Sequence, residues 1–238
     1  MEEAVERAKQ SRGEIQVIRI AAGRHVLQSE LLIDFNSGVK LAGAGMGVTT
    51  LVGLIVIKQA RDIELNGMTV MSGTSFQTVG GCGLRVESGG SALVTSCEVK
   101  CCRGCGVEVR SKSFLSMTNS YVHHNGWSGV IVIGDGTRAT LENLESNHNE
   151  RCGLSAMNGA VVDVRGKRTS IHHNDGPGVS STGAGAMIRI HLPRTVECMS
   201  DNGVTLERKE EVNEGDERET QGNILYDDGG SVQRIVSG

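Results

Sequence analysis

Aromatic residues are scarce in this chain: three phenylalanines, two tyrosines and one tryptophan make up 3 % of 238 residues. That leaves little with which to stack nucleic-acid bases or line a long sugar-binding cleft. Proline is scarcer still, with 2 residues, which excludes a collagen or a proline-rich linker. Neither sign of charge dominates, since 24 basic residues face 28 acidic ones for a net charge of −4. Such a surface sets up no broad attraction for nucleic acid or an anionic membrane. No apolar run approaches the roughly 20 residues of a membrane-spanning helix, and the opening Met1-Glu2-Glu3-Ala4-Val5-Glu6 has no apolar signal core. Seven irregularly spaced cysteines, an odd number, fit reduced thiols better than a secreted disulfide framework. The expectation is a cytoplasmic protein that needs no cofactor.

Glycine is abundant, at 33 residues, and it is periodic. Gly83, Gly106, Gly129, Gly153, Gly178 and Gly203 each open an alternating apolar segment, at spacings of 23, 23, 24, 25 and 25. A period of this size marks a repeat array in which each unit buries its apolar side against its neighbours. Within each unit Leu84 and Val86, Val107 and Val109, Val130 and Val132, then Leu154 and Ala156 alternate with period two, as strands do. The helical spacing of leucine-rich, tetratricopeptide or ankyrin repeats is missing. What remains is a coil of three short strands per turn.

A second column shares the register. Asn125, Asn149 and Asn174 each stand four residues before a repeat glycine, and rungs stacked at roughly 4.8 Å would let their amides form a hydrogen-bonded ladder. The segments Ser120-Tyr121-Val122-His123-His124-Asn125-Gly126-Trp127-Ser128-Gly129-Val130-Ile131-Val132 and Thr169-Ser170-Ile171-His172-His173-Asn174-Asp175-Gly176-Pro177-Gly178-Val179 resemble the parallel β-helix repeat of pectin-lyase-like proteins and of F-box only protein 11 type adaptors. The resemblance implies an all-β fold, a right-handed single-stranded parallel β-helix of about nine rungs of 23–25 residues. The single domain would comprise a capping helix over 2–12, N-terminal rungs over 15–80, clear repeats over 81–206, a charged loop over 207–222 and cap strands over 223–238. The loop follows from composition as well, because 10 of the 14 residues from Glu207 to Thr220 are charged.

Three constellations carry possible chemistry. Five histidines fall just before the asparagine column, and His124, His148 and His173 are candidate metal ligands. Strand alternation should turn His123 and His172 to the opposite side unless the turn twists them, and no carboxylate shares the columns, so stacked turn residues are the simpler expectation. Cys82, Cys102 and Cys105 could supply three thiolates to zinc, or could fill turns as small apolar groups. For polysaccharide cleavage the resemblance implies paired carboxylates, or calcium-binding acids with a base. The polygalacturonase combination of Asn-Thr-Asp, paired aspartates, Gly-His-Gly and Arg-Ile-Lys is missing, with Arg189-Ile190-His191 as the nearest fragment, and so is the epimerase Asp-Pro-His. Asp135, Asp163, Arg165, Glu108 and Arg110 are the remaining catalytic candidates, at differing phases of the repeat.

On the solvent face of the strands, Ile131, Ile133 and Met157 interrupt charged and small residues, and Trp127 lies in the turn before them. Together they predict an exposed apolar patch that binds a partner. The expected function is a non-catalytic module binding a protein or a polysaccharide through a lateral sheet. The alternative is a carbohydrate-active enzyme, a lyase, hydrolase or epimerase acting on an acidic polysaccharide.

Overall fold

The computed structural model describes residues 1–36, 38–72, 81–191, 199–202, 224–227 and 231–235, the last two groups as strands. The expected charged loop over 207–222 and the repeat glycine at 203 lie outside the described residues. One turn of the coil shows the plan. Val107–Arg110 belongs to a first sheet, Phe114–Thr118 to a second and Tyr121–His123 to a third, after which Val130–Ile133 returns beside Val107–Arg110. Among the described residues the first sheet holds eight strands, the second nine and the third eight. Every pairing among the described residues is parallel, and Val107 faces Val130, Val130 faces Leu154 and Leu154 faces Val179. The period of the glycines is thus the length of one turn, and the chain is a parallel β-helix.

The three sheets enclose a single apolar core. Inward positions such as Leu84, Val107, Val130, Leu154 and Val179 are buried. Their stacking in register removes almost all of their surface from water, which contributes roughly 1.5–3 kcal/mol for each such side chain. The N-terminal helix, Glu2–Gln10, closes one end of this core with Val5 and Ala8. It stops short of the expected residue 12, because Arg12 and Gly13 adopt left-handed backbone that a helix cannot continue through. Glu2 Oε1 fastens it to the first turns by accepting from the backbone N–H groups of Gln28 and Ser29, at 2.9 and 3.2 Å.

Corners between sheets repeat as faithfully as strands. Ser96, Asn119 and Asn143 are left-handed where the second sheet passes to the third, as are Cys101, His124, His148, His173 and Asp201 where the third passes to the first. Asparagine, aspartate and histidine tolerate this region better than most residues. Immediately after the second set of corners the asparagines turn inward. Asn125 Nδ2 donates to Asn149 Oδ1, Asn149 Nδ2 to Asn174 Oδ1 and Asn174 Nδ2 to Asn202 Oδ1, each at 2.8 Å. The backbone N–H of each donor residue reaches the same oxygen, at 3.1–3.3 Å. A buried thiol residue opens the row, since Cys102 N–H donates to Asn125 Oδ1 at 3.0 Å.

This row explains the glycines. A Cβ on Gly106 would lie 2.6 Å from Val122 Cγ1 and 2.8 Å from Asn125 Nδ2. The repeat glycine therefore makes room for the amide of the next turn, and the two sequence columns are one packing arrangement. Asn149 is fully buried and also donates to Ser146 Oγ and the Val122 carbonyl. Asn149→Ala would leave several buried polar groups without partners, and its expected cost is about 3 kcal/mol. A shift in the urea midpoint of that size, against less than about 1 kcal/mol for Asn119→Ala at a less buried corner, is the check.

Candidate functional site

The outer face of the first sheet carries two side-chain columns. Val56, Arg85, Glu108, Ile131, Ser155 and Ser180 form one, while Lys58, Glu87, Arg110, Ile133, Met157 and Thr182 form the other. Arg85 Nε donates to Glu108 Oε2 at 2.8 Å, and Arg110 donates to Glu87 Oε2 and to Glu108 Oε1. Burial pushes the Glu87 carboxyl up, but Arg110, Arg85 and Lys58 outweigh it and hold it below the ordinary value. A general acid needs the opposite shift.

The apolar patch expected here is not open. Ile131 packs against a small cluster of Leu54, Val56, Cys82 and Cys105, and Ile133 and Met157 are half-buried beside it. Only Trp127 projects, at 49 % exposure, with the Arg151 guanidinium 5.0 Å from its ring centre. The catalytic candidates are likewise dispersed. Glu108 and Arg110 face outward from the first sheet, Asp163 and Arg165 stand on the second, and Asp135 occupies the turn between them. Asp163 is paired with His191 Nε2 at 2.6 Å and lies 3.9 Å from Arg189, so the Arg189-Ile190-His191 fragment lies against that aspartate.

The three cysteines do not converge either. Cys82 and Cys105 sit in the small outer cluster, whereas Cys102 belongs to the main core. Its hydrogen bond with Cys105, together with burial, pushes the Cys82 thiol up, and burial pushes Cys102 up to about 12. The same hydrogen bond shifts the Cys105 thiol down, so the three candidate thiols do not share one environment. Among the described residues, no group of three or more histidine, cysteine or acidic side chains is placed to hold a metal ion.

At the outer edge of the third sheet the histidines stack as turn residues, and the corner also brings the adjacent rings and nearby carboxylates together. The rings of His124, His148 and His173 stack nearly parallel, with centres 4.8 and 5.4 Å apart. His123 Nδ1 nevertheless meets His124 Nδ1 at 2.7 Å, and His172 Nδ1 meets His173 Nδ1 at 2.7 Å. The left-handed corner at His124 and His173 breaks the strand alternation and swings adjacent rings together. Carboxylates join them as well: Glu98 Oε1 lies 3.0 Å from His123 Nε2, Glu145 Oε1 lies 3.5 Å from His172 Nε2, and Asp201 Oδ2 lies 3.9 Å from His173 Nε2. Burial, then His123, His148 and Lys100, pushes the His124 ring down.

A groove of about 470 Å³ runs beside this edge, lined by Met46, Ser96, Asn119, Tyr121, Asn143, Glu145 and Arg168. Tyr121 is 41 % exposed. Asn119 Oδ1 accepts from Asn143 Nδ2 at 3.2 Å and from Arg168 Nη2 at 2.7 Å. Sequence reasoning passed over this site, although Asn119, Asn143 and Arg168 each stand six residues before a ladder asparagine.

Comparison with known proteins bears on the family. A family model described as the right handed beta helix region matches residues 53–210. The chain belongs to this family. Among solved structures, this β-helix protein is similar to the mannuronan C-5 epimerase AlgE6 A-module of Azotobacter vinelandii, at 16 % identity and TM-score 0.51 over 85 % of this chain and 72 % of that one. It is also similar to the catalytic domain of a GH87 α-1,3-glucanase in complex with tetrasaccharides (12 %, TM-score 0.56, 80 % of this chain and 43 % of that one). A third similar structure is ORF18 of Geobacillus virus E2 (11 %, TM-score 0.52, 84 % and 54 %). The β-helix chain thus spans about half the length of the latter two, and identities this low establish the shared fold alone. No curated protein matches it in sequence. None of its described helices is long and apolar enough to cross a membrane.

Glu98 offers a test of the third-sheet edge. Burial pushes its carboxyl up, but hydrogen bonds from Thr69, Lys100 and His123 outweigh burial and hold it below the ordinary value. A depressed folded-state pKa stabilises the fold above the unfolded value of about 4.3, and that contribution is lost as pH falls through the folded value. Glu98→Gln should therefore cost stability at pH 7 and less at pH 3. Urea midpoints of the parent and the variant should converge on acidification, and a constant gap would refute the assignment.

Proposed function

We propose that this chain is a non-catalytic β-helix module that binds an extended acidic polysaccharide along its side, in the groove beside Tyr121. The observation that carries the reading is the composition of that groove, where an exposed aromatic ring, the Arg168 guanidinium and the amides of Asn119 and Asn143 converge. An aromatic face packs against the apolar face of a sugar ring, and a guanidinium pairs with a carboxylate in a planar, two-pronged fashion. The side-chain amides supply donors and acceptors to hydroxyl groups. Glu145 on the same wall hydrogen-bonds Asn147 and approaches His172, which reduces its repulsion of an anionic sugar. Polysaccharide is also the class named for the epimerase and glucanase domains that share the fold.

Dispersal of Asp135, Asp163, Arg165, Glu108 and Arg110 supports binding without cleavage, because acid–base hydrolysis needs two carboxyl groups flanking one sugar linkage. A second reading, protein binding at Trp127 with Ile131, Ile133 and Met157 at its margin, draws on the exposure of the tryptophan and the cation stacked on it.

Calorimetric titration with polyuronate oligosaccharides separates these readings. Tyr121→Ala and Arg168→Gln should each weaken binding about tenfold, or roughly 1.4 kcal/mol, while Trp127→Ala leaves it unchanged and the oligosaccharides keep their length. Binding that survives both groove variants would overturn the proposal. So would unsaturated or reducing ends that appear with the parent and vanish with Asp163→Asn.

A further inference from the structure

The same contact occurs twice on the third-sheet edge. At His123–His124 and again at His172–His173, two turns further on, neighbouring rings meet through their Nδ1 atoms at 2.7 Å and lie nearly perpendicular, at 79° and 86°. One proton at most can lie between two such nitrogens. The other nitrogen of the leading ring is hydrogen-bonded to Glu98 Oε1 at 3.0 Å in His123, and in His172 it faces Glu145 Oε1 at a longer 3.5 Å. A ring that donates Nε2–H to a carboxylate holds its proton there and presents Nδ1 as a lone pair. That carboxylate–imidazole arrangement is the one that orients histidines as metal ligands and raises their basicity.

We propose that His123 with His124, and His172 with His173, form two independent sites for a divalent transition-metal ion of the Ni(II) or Zn(II) kind, each ion taking the place of the proton between two Nδ1 atoms. Imidazole nitrogen suits these ions better than it suits Mg(II) or Ca(II). At metal–nitrogen bonds of about 2.0–2.1 Å, two ligands of a tetrahedral ion stand roughly 3.3 Å apart. The paired nitrogens must therefore separate by roughly half an ångström. His124 and His173 are exposed and can move that far. Water would complete the coordination, because the protein provides two ligands at each site.

The intervening turn is not a third site. Asn147 stands where His123 and His172 stand in their own turns, and its Oδ1 meets His148 Nδ1 at 2.8 Å. An amide oxygen only accepts, so His148 Nδ1 carries a proton there. Nor is the column of His124, His148 and His173 a site, because lone pairs on parallel stacked rings run side by side and do not converge. Two turns of a parallel ladder separate the two pairs by about 10 Å, too far for one ion to bridge.

Titration of the full chain with Ni(II), thiols kept reduced, should give two ions per chain. Expected results are one ion for His123→Ala, one for His172→Ala, none for the double variant, two for His148→Ala, and no binding of Mg(II) to the parent. Glu98→Gln should weaken the first site about tenfold and spare the second. Circular dichroism verifies that each variant keeps its fold. Imidazole ¹⁵N spectra of the unaltered chain with Zn(II) provide a readout that needs no variant, with four Nδ1 resonances moving to the coordinated position. Metal seen on Nε2 instead, or an unchanged stoichiometry in the folded double variant, would overturn the proposal.

Discussion

Inside one corner of the coil, each asparagine of the series Asn125, Asn149, Asn174 and Asn202 binds the next through a single carbonyl oxygen that accepts from both a side-chain amide and a backbone N–H. Asn125, Asn149 and Asn174 are buried, so their hydrogen bonds are strong and each loss would be costly. Its spacing is that of the parallel ladder, and it sets successive turns directly over one another. The repeat glycines are part of the same contact, because a methyl group at Gly106 would strike both the amide and the valine of the adjoining turn.

Registration inside the coil dictates what meets outside it. Stacking puts residues of equal phase into columns, so charges on the first sheet find partners one turn away: Arg85 with Glu108, and Arg110 with Glu87. The carboxylates there are engaged in ion pairs with arginines. On the third sheet the same stacking collects imidazoles, glutamates and an asparagine into one strip, and beside it a tyrosine, an arginine and two amides line a groove. A regular scaffold thus presents different chemistry on different faces.

Much of the architecture was legible in the sequence. The spacing of Gly83 through Gly178 and the phase of three asparagines are consequences of contacts that repeat once per turn. Asn202 escaped notice because it follows Asn174 by 28 residues, where earlier steps are 24 and 25. The stacking of the histidines was legible, but the pairing of adjacent rings was not: alternation of faces holds within a strand, and His124 and His173 lie one residue beyond it, in left-handed backbone. The patch at Ile131, Ile133 and Met157 was misjudged because facing outward from a strand is not the same as being exposed. Val56 and the two thiols pack against Ile131, and Ile133 and Met157 are half-buried as well.

What the sequence alone determined is everything that recurs: strand length, turn length, the inward face, the ladder and the glycines that accommodate it. A repeated local contact leaves a repeated local signature. Tertiary structure alone decided which side chains of separate turns meet, and hence that His123 joins His124 against Glu98, that Asp163 is matched with His191, and that Tyr121 shares a groove with Arg168. Those encounters depend on backbone handedness at single corner residues and on insertions that change one turn's length, and neither leaves a periodic trace in the chain.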